Sequence, residues 1–194
     1  NSIRTIGITK TNVDFFNKKI LNISKLSWEI NKIEISSEKS KKKSLLKFDN
    51  KKELFSIIKN HKLYDLLDKD LKKNRFFKKK KLSSSKFLID NKQILINCDS
   101  NSDLTKKFFH KNLIKKYKSN AHVTIIKHRK IKKNNTAYQV FTEFGPIAFL
   151  PISEFETSIV YSVKKIFNLN KNDIINLVKK YNPKYFITNF EKVE

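Results

Sequence analysis

The sequence predicts an α+β protein, and three observations support this class. Short segments such as 121–132 and 138–149 alternate apolar with polar residues, as β-strands do. Apolar residues recur at helical spacing over 63–71 and 174–181, as amphipathic helices require. The chain has 194 residues and is 39% hydrophobic, so it is long and apolar enough to bury one sizeable core.

The first fifty residues predict short elements joined by a loop. An extended or irregular start over 1–24 contains a helical pattern at 14–21. Polar and charged residues at 37–44 predict a loop. Between these segments, residues 27–36 alternate weakly, with apolar positions at Trp28, Ile30, Ile33 and Ile35.

A helical pattern covers residues 51–73. It predicts either one helix or two helices with a break near Asn60. Four consecutive lysines at 78–81 follow it. Its second half carries an i, i+3, i+4, i+8 stripe formed by Leu63, Leu66, Leu67 and Leu71.

The middle of the chain predicts two strands, a turn and a helix. The apolar runs at 86–90 and 93–98 are so close in sequence that only a hairpin-like turn can join them. Ser102 or Asp103 is the predicted cap of a helix over 104–118, because short polar side chains accept from the free N–H groups of a first turn. This helix is predicted to group four apolar residues on one face: Phe109, Leu113, Ile114 and Tyr117.

A third strand is predicted over 121–132, and further strand over 137–156 with a break at Gly145-Pro146. We interpret the segment around this break as a hairpin in or beside the sheet. An alternative is part of an S1-type OB barrel, to which "FTEFGPIAFLPISEF" (141–155) is similar.

The C-terminal segment predicts two helices and a final strand. The first helix, over 157–169, rests on apolar residues at i, i+4, i+7 and i+8. The second, over 171–181, begins with Asn170 as its cap and Asp173 three residues later. A last strand is predicted at 184–190. The two helical stripes are Ile159, Val163, Ile166 and Phe167, and Ile174, Leu177, Val178 and Tyr181.

Positive charge is concentrated in the middle of this chain, whose formal net charge is +25. Residues 41–81 carry sixteen Lys/Arg and five Asp/Glu, and residues 82–139 carry thirteen and three. Residues 1–40 have a net charge of only +3, and residues 140–194 of only +1. The middle therefore favours an anionic polymer or surface as partner, whereas the C-terminal part suits packing against protein.

Several chemistries lack support in the sequence. The single cysteine, Cys98, excludes an internal disulfide and a cysteine-cluster zinc site, and its place on a predicted strand suggests a small buried residue. The four histidines form no metal-ligand pattern, and no nucleophile has a suitably spaced base. We therefore predict a non-enzyme without cofactor or metal. No run approaches about 18 apolar residues, so neither a transmembrane helix nor a membrane partner is expected.

Three segments resemble the N-terminal half of the third universal small-subunit ribosomal protein, in a diverged mitochondrial form. "IRTIGITKT" with "FFNKK" is similar to the opening of that family, and "LYDLLDKDLKK" to the helix before its KH domain. "SSKFLIDNKQILINCDSNSDLTKK" is similar to the first strands, loop and helix start of the type II KH fold, and "AHVTIIKHRK" to its next strand. The resemblance covers roughly residues 3–17 and 62–130.

The resemblance implies a type II KH-like sheet with packed helices, basic extensions and a C-terminal α/β addition. The corresponding division is an N-terminal extension and loop at 1–50, a KH-like RNA-binding domain at 51–139 and a protein-contact region at 140–194. It also implies a structural role in the small subunit of the mitochondrial ribosome, in the matrix. The partners would be ribosomal RNA and other small-subunit proteins, including a separate chain with the family's second domain if the gene is split. The alternative is a stand-alone RNA-binding factor in organellar RNA processing.

The chain departs from the family at the loop that grips phosphate. The family's KH loop has a GxxG, which lets backbone N–H groups approach phosphates. Here the loop contains Ser100, Asn101, Ser102 and Asp103, and it has no glycine. We therefore expect RNA contact to come from basic side chains and not from this loop. The predicted contacts are Lys41, Lys42, Lys43, Arg75, Lys78, Lys79, Lys80, Lys81, Lys106, Lys107, Lys111, Lys115, Lys127, Arg129, Lys130, Lys132 and Lys133.

Overall fold

The computed structural model describes residues 3–40, 44–50, 53–80, 94, 96–109, 113 and 115–194. These residues form strands and helices in an α+β arrangement, which confirms the predicted class. They divide into two compact units, a larger one built from residues 1–71 and 118–194 and a smaller one at 72–117. Within the described part of the chain, no helix is long and apolar enough to span a membrane.

Ten strands and four α-helices make up the described elements. The strands are β1 (Thr5–Thr9), β2 (Trp28–Ile30), β3 (Lys32–Ser37), β4 (Ser44–Asp49), β5 (Phe55–Lys59), β6 (Ser119–His128), β7 (Thr136–Phe141), β8 (Pro146–Pro151), β9 (Glu156–Lys164) and β10 (Ile187–Phe190). The α-helices are α1 (Lys10–Phe15, continued by a π-helical turn at Phe16–Ile20), α2 (Asn60–Leu71), α3 (Asp103–Phe108) and α4 (Lys171–Tyr181).

Two sheets form the larger unit. A three-stranded antiparallel sheet has the order β1-β5-β2. A seven-stranded sheet has the order β10-β6-β9-β8-β7-β3-β4, and its neighbours are antiparallel except for the parallel pair β3 and β7. The chain passes from one sheet to the other at Asn31, between β2 and β3. The segment around Gly145 is the predicted hairpin: it joins β7 to β8 within the large sheet.

The two sheets and their helices are stacked in layers. On β5, Ile57 and Ile58 point to opposite faces of the small sheet, and both are buried. Ile58 packs with residues of α1 and α2, whereas Ile57 packs against the large sheet beside Ala137. The other face of the large sheet is covered by α4. Its core contains Phe149, Tyr161, Val163, Ile174, Val178 and Tyr185 among others.

Two predicted helices are wrong because strands take their place. Residues 55–59, in the first half of the helical pattern at 51–73, form β5, although the predicted break at Asn60 is confirmed by the start of α2 there. Residues 157–164, predicted as helix, belong to β9, and only Lys165–Phe167 form a short 3-10 turn. The second predicted helix of this region is confirmed as α4, with the complete Asn170–Asp173 capping box.

The predicted C-terminal stripes are mostly buried against this chain. Ile159 and Val163 are buried residues of β9, and Ile174, Val178 and Tyr181 are buried residues of α4. Ile166, in contrast, is 79% exposed. Most of the apolar side chains that the sequence suggested for contact with other proteins are therefore buried within the larger unit.

The smaller unit differs from its predicted hairpin and long helix. The strand predicted at 86–90 lies outside the described residues. In the strand predicted at 93–98, residues 94 and 96–98 have no regular structure, and Cys98 is exposed and not buried. The predicted cap is confirmed at Ser102, but α3 ends at Phe108. The apolar face predicted for the longer helix does not form, because Phe109, Leu113 and Tyr117 are all exposed.

The predicted division into 1–50, 51–139 and 140–194 stays a prediction. Its first boundary falls just after β4, and its second falls inside β7. The described strands on both sides of the second boundary belong to one sheet.

Buried tyrosines predict a loss of stability in alkali. Tyr161 is fully buried, and burial raises its pKa to about 12 despite a 2.9 Å hydrogen bond with Thr142. A group whose folded pKa lies above its unfolded value stabilises the fold below the unfolded pKa, near 10, and loses that stabilisation as the pH rises through about 12. The Tyr161→Phe variant should therefore lose less stability than the wild type between neutral pH and this range. Urea unfolding followed at a series of pH values checks this, and identical pH profiles would contradict it.

Candidate nucleic-acid interface

Several polar groups of the turn before α3 form hydrogen bonds within the turn. The backbone N–H of Asn101 donates to the Asp99 carboxylate at 2.9 Å, and the N–H of Thr105 donates to Ser102 Oγ at 3.2 Å. The Thr105 hydroxyl donates to the carbonyl oxygen of Asp99 at 2.6 Å. These N–H groups are therefore occupied, and Asp99 adds a negative charge to the same turn. Such a turn is poorly suited to hold a phosphate, and the expectation that it makes no RNA contact stays a prediction.

Exposed aromatic rings lie beside basic side chains in the smaller unit. The Arg75 guanidinium lies 4.6 Å from the centre of the Phe76 ring, and that ring is 77% exposed. Lys107 lies 5.3 Å from the ring of Phe108. In the same way, Lys115 lies 5.5 Å from the ring of Tyr117. Cation and ring can then face a nucleic acid together, the cation on a phosphate and the ring on an unpaired base.

The exposure of Phe76 differs from the usual packing of adjacent aromatic residues. Core packing is the ordinary use of an adjacent pair such as Phe76 and Phe77. In the structure Phe76 is exposed and Phe77 is only partly buried. Phe76 is therefore available for stacking.

The smaller unit also has the higher charge density. Residues 72–117 carry fourteen Lys/Arg and three Asp/Glu, a net charge of +11 over 46 residues. The larger unit carries twenty-nine and fifteen, a net charge of +14 over 148 residues. Positive charge per residue is thus more than twice as high in the smaller unit, which makes it the stronger attractor of a polyanion.

A second basic surface lies on the larger unit, where a buried polar network fixes the loop from β6 to β7. The Nδ1–H of His128 donates to the carbonyl oxygen of Arg129 at 2.9 Å, which leaves Nε2 to accept from Thr157 Oγ1 at 3.0 Å. Asn134 is fully buried at the other end of the loop, and its Nδ2 donates to the same Thr157 hydroxyl at 3.4 Å. Tyr185 completes the network by donating to Asn134 Oδ1 at 3.4 Å. The network holds both ends of the loop in place.

The basic residues of this loop project from that anchored base. Arg129 lies 3.9 Å from the centre of the Phe186 ring, which is 58% exposed. Lys130 lies 5.8 Å from the ring of Phe155 and 3.1 Å from the Glu154 carboxylate. The ion pair reduces the free charge of Lys130, so Arg129 is the strongest single candidate for a bidentate phosphate contact here.

The described residues among the predicted contacts are exposed, and they fall on both units. The smaller unit carries Arg75, Lys78, Lys79, Lys80, Lys106, Lys107 and Lys115. The larger unit carries Lys127, Arg129, Lys130, Lys132 and Lys133. Lys106 forms an ion pair with Asp103 at 3.3 Å, which weakens its case. The predicted contacts Lys41, Lys42, Lys43, Lys81 and Lys111 lie outside the described residues.

The structure adds three aromatic residues that sequence reasoning missed. Phe108 adjoins the lysine pair 106–107, so its position next to these charges was a signal in the sequence. Phe155 and Phe186 are far in sequence from Arg129 and Lys130, and only the pairing of strands brings them together. No local pattern could have identified them.

A cleft of about 530 Å³ on the larger unit shows no catalytic arrangement. It lies between β3, β7 and the end of α4, and Lys180 pairs there with Glu38 at 3.0 Å. Burial acts to raise the pKa of Glu38, but the hydrogen bonds from Lys180 and from the backbone N–H of Glu143 outweigh it and hold the pKa below its ordinary value. Glu38 is therefore an ionised partner of Lys180 and a poor general base at neutral pH. Among the described residues, no group of three or more His, Cys, Asp or Glu is placed to bind a metal.

The lysine run and the turn of the smaller unit make opposite predictions for mutagenesis. Replacing Lys78–Lys81 by alanine should weaken RNA binding by at least tenfold, because about four phosphate contacts are removed. Replacing Ser100 and Ser102 by aspartate should change it less than threefold, since aspartate also caps a helix and the turn is already acidic. Filter binding to a single-stranded RNA measures both.

A matched control for the lysine variant is available on the other unit. Four exposed lysines outside the predicted interface can be replaced by alanine to give the same loss of charge: Lys164, Lys165, Lys171 and Lys192. This control should lose clearly less affinity than the Lys78–Lys81 variant. Equal losses would show that net charge alone decides binding, and a large loss from the turn variant would reverse the assignment.

No protein-family model matches this chain, and no curated protein is significantly similar to it.

Proposed function

We propose that this protein is an RNA-binding structural constituent of the small subunit of the mitochondrial ribosome. It holds ribosomal RNA by charge and by stacking, and it carries out no chemical step of its own. The family resemblance in the sequence supports the choice of particle, and the type II KH character of residues 51–139 remains part of this proposal. The exposed basic and aromatic pairs of both units support the choice of RNA.

The observation that carries the proposal is the repeated pairing of a cation with an exposed ring. Arg75 with Phe76 provides one such pair in the smaller unit, and Arg129 with Phe186 provides another in the larger unit. A lysine-rich surface alone would serve any polyanion. An exposed ring beside Arg75 and another beside Arg129 add an affinity for unpaired bases. Heparin-like polymers and lipid headgroups have no such bases.

The two kinds of side chain have different roles in this proposal. Lysines neutralise phosphates as point charges and release counterions, which gives affinity with little sequence preference. Arginines bind phosphate oxygens in a bidentate manner and so fix the position of the strand. Contacts with neighbouring ribosomal proteins fall to surface residues that the core leaves exposed in the C-terminal region, such as Ile166.

Sedimentation tests the proposal against the stand-alone RNA-binding factor. A tagged chain expressed in mitochondria should co-sediment with the small subunit through a gradient at high salt, where weak electrostatic binding is lost. Ribonuclease treatment should release it only when the subunit itself falls apart. A chain that sediments as a free protein or with small RNAs would support the processing factor. Turnover of RNA by the purified protein would overturn the structural role.

A further inference from the structure

Among the residues that the structure describes, no strand pairs with the outer edge of β4, the last strand of the large sheet. β4 pairs with β3 on one side only, because it stands at the end of the strand order. The backbone N–H of Asn50 donates to the carbonyl oxygen of Asn31 at 3.0 Å, which makes these two a hydrogen-bonded pair just beyond the ladder. Alternation along an antiparallel ladder then directs the N–H and C=O groups of Lys47 and Asp49 away from β3. Such a row of outward groups can pair with another strand.

The side chains of β4 differ between its two faces. Leu46 and Phe48 stand opposite Ile35 and Ile33, and they are 56% and 49% exposed. Lys47 and Asp49 lie on the opposite face, Lys47 at 3.9 Å from Glu34 and Asp49 at 2.6 Å from Lys32. A strand laid along β4 would therefore meet apolar side chains on one face and one basic and one acidic residue on the other.

The opposite edge of the same sheet lacks these features. β10 has only four residues, and its register shifts between Ile187 and Asn189. Irregular, short edges resist pairing with other chains. β4 is longer, with six residues. Its register also shifts, between Ile35 and Ser36 opposite Leu45, but Lys47 and Asp49 lie in the regular part of the ladder.

Charge decides what can occupy the edge. The chain has a net charge of +25, and three lysines precede β4 in sequence while two follow Asn50. The site itself consists of Ser44–Asp49 alone, and the net positive charge of the chain attracts acidic segments and repels basic ones. A second copy of this chain would bring the same positive charge to the same edge, which disfavours a β4-to-β4 dimer. RNA is attracted by the charge but offers no backbone to pair with a strand edge.

We propose that β4 is a docking edge for a protein partner, which adds an extended segment in which apolar residues alternate with acidic ones. The added strand pairs with the outward groups of Lys47 and Asp49. Its apolar residues cover Leu46 and Phe48, and its carboxylates face Lys47. This is β-augmentation, in which main-chain hydrogen bonds give affinity and alternate side chains give specificity. It does not depend on the proposed binding of RNA.

A designed peptide tests the docking edge on the full-length chain. The probe is a short synthetic peptide that alternates valine with glutamate. One control peptide alternates valine with lysine, and another has the valines and glutamates in two separate blocks. Amide hydrogen exchange should slow at Lys47 and Asp49 when the alternating acidic peptide binds, and neither control peptide should slow it.

Two variants of one residue separate backbone pairing from charge. Lys47→Pro removes an outward N–H but leaves the ladder to β3 intact, so it should weaken peptide binding at least tenfold. Lys47→Ala removes only the charge and should weaken binding about two- to threefold, as expected of an exposed ion pair. If Lys47→Pro fails to fold, the exchange measurement on the wild-type chain decides by itself.

Three results would overturn the proposal. The first is unchanged exchange at β4 in the presence of the alternating acidic peptide, or equal protection by the block peptide. The second is protection that rises with protein concentration in the absence of peptide, which would make a second copy of the chain the occupant. The third is protection of the same amides by RNA and not by peptide.

Discussion

RNA affinity of this protein is expected to fall by about a thousandfold or more between about 50 and 200 mM monovalent salt, as for proteins that neutralise six or more phosphates. Residues 41–139 carry a net charge of +21, and the described basic residues there that we assign to RNA are exposed. Most of the binding free energy should therefore come from released counterions. Titration of a labelled single-stranded RNA at four or five salt concentrations gives the slope directly. Two RNAs of unrelated sequence should differ in affinity by less than about tenfold.

A neutral nucleic-acid analogue separates charge from stacking in the same titration. A peptide nucleic acid of the same base sequence keeps the bases but has no phosphates, so it should bind far more weakly and with little salt dependence. Replacing Phe76 and Phe186 by alanine should reduce the affinity of RNA by about 1–3 kcal/mol for each base that loses its stacking partner, without changing the salt slope. Affinity for RNA that is flat across the salt range would rule out the electrostatic mode.

Replacing Gly145 by alanine should lower the free energy of unfolding by on the order of 3 kcal/mol or more. Gly145 has a φ of +141°, a conformation that residues with a side chain rarely adopt. An added Cβ would also overlap the backbone carbonyl oxygen of Ser162, because β9 pairs with β8 and runs beside the β7–β8 hairpin in the same sheet. Neither strand can move away without loss of core packing around Tyr161. Urea unfolding followed by circular dichroism measures the change.

The other glycine of this chain is the matched control. Gly7 lies in β1, and an added Cβ would meet its nearest side chain, Phe55, at an ordinary 3.7 Å. Gly7→Ala should therefore change stability by less than about 1 kcal/mol, in either direction. Similar unfolding midpoints for the two variants would show that the hairpin adjusts to a side chain at position 145.

The class of the fold could be predicted from the sequence, but two strands were hidden in helical patterns. Ile159 and Val163 are four residues apart, and this spacing suits a helical stripe and one face of a strand equally well. The decisive residue was Ile166, which a helix would have buried and which is exposed. On β5 the neighbours Ile57 and Ile58 are both buried because sheet and helices cover opposite faces, and a doubly buried strand lacks the alternation that would distinguish it from a helix.

β4 was difficult to predict for a different reason, because it is an exposed strand at the edge of its sheet. β4 forms in a lysine-rich stretch that was predicted partly as loop. Its burial is slight on both faces, so alternation of apolar residues was weak evidence for a strand. What stabilises it is pairing with β3, which a local pattern does not reveal.

The candidate interface was predictable in charge but not in geometry. The lysines and arginines could be identified by counting. The turn at 99–103 could be recognised as a poor phosphate site, because it contains two aspartates and no glycine. The contact of Arg129 with Phe186 could not, because it depends on the pairing of β6 with β10. The burial of His128 and Asn134 as anchors of the basic loop likewise depends on contacts with β9.

The parallel pairing of β3 with β7 also sets the order in which a growing chain can be completed. Lys32 pairs with Thr136, so β3 can pair with β7 only after about a hundred further residues have been synthesised. The larger unit is completed later still, because the backbone of Glu194 exchanges two 3.0 Å hydrogen bonds with Val123. Residues 72–117, in contrast, are all present once residue 117 has been made. We therefore expect the most basic part of the protein to emerge in full while the larger unit is still unfinished, free to meet RNA during translation.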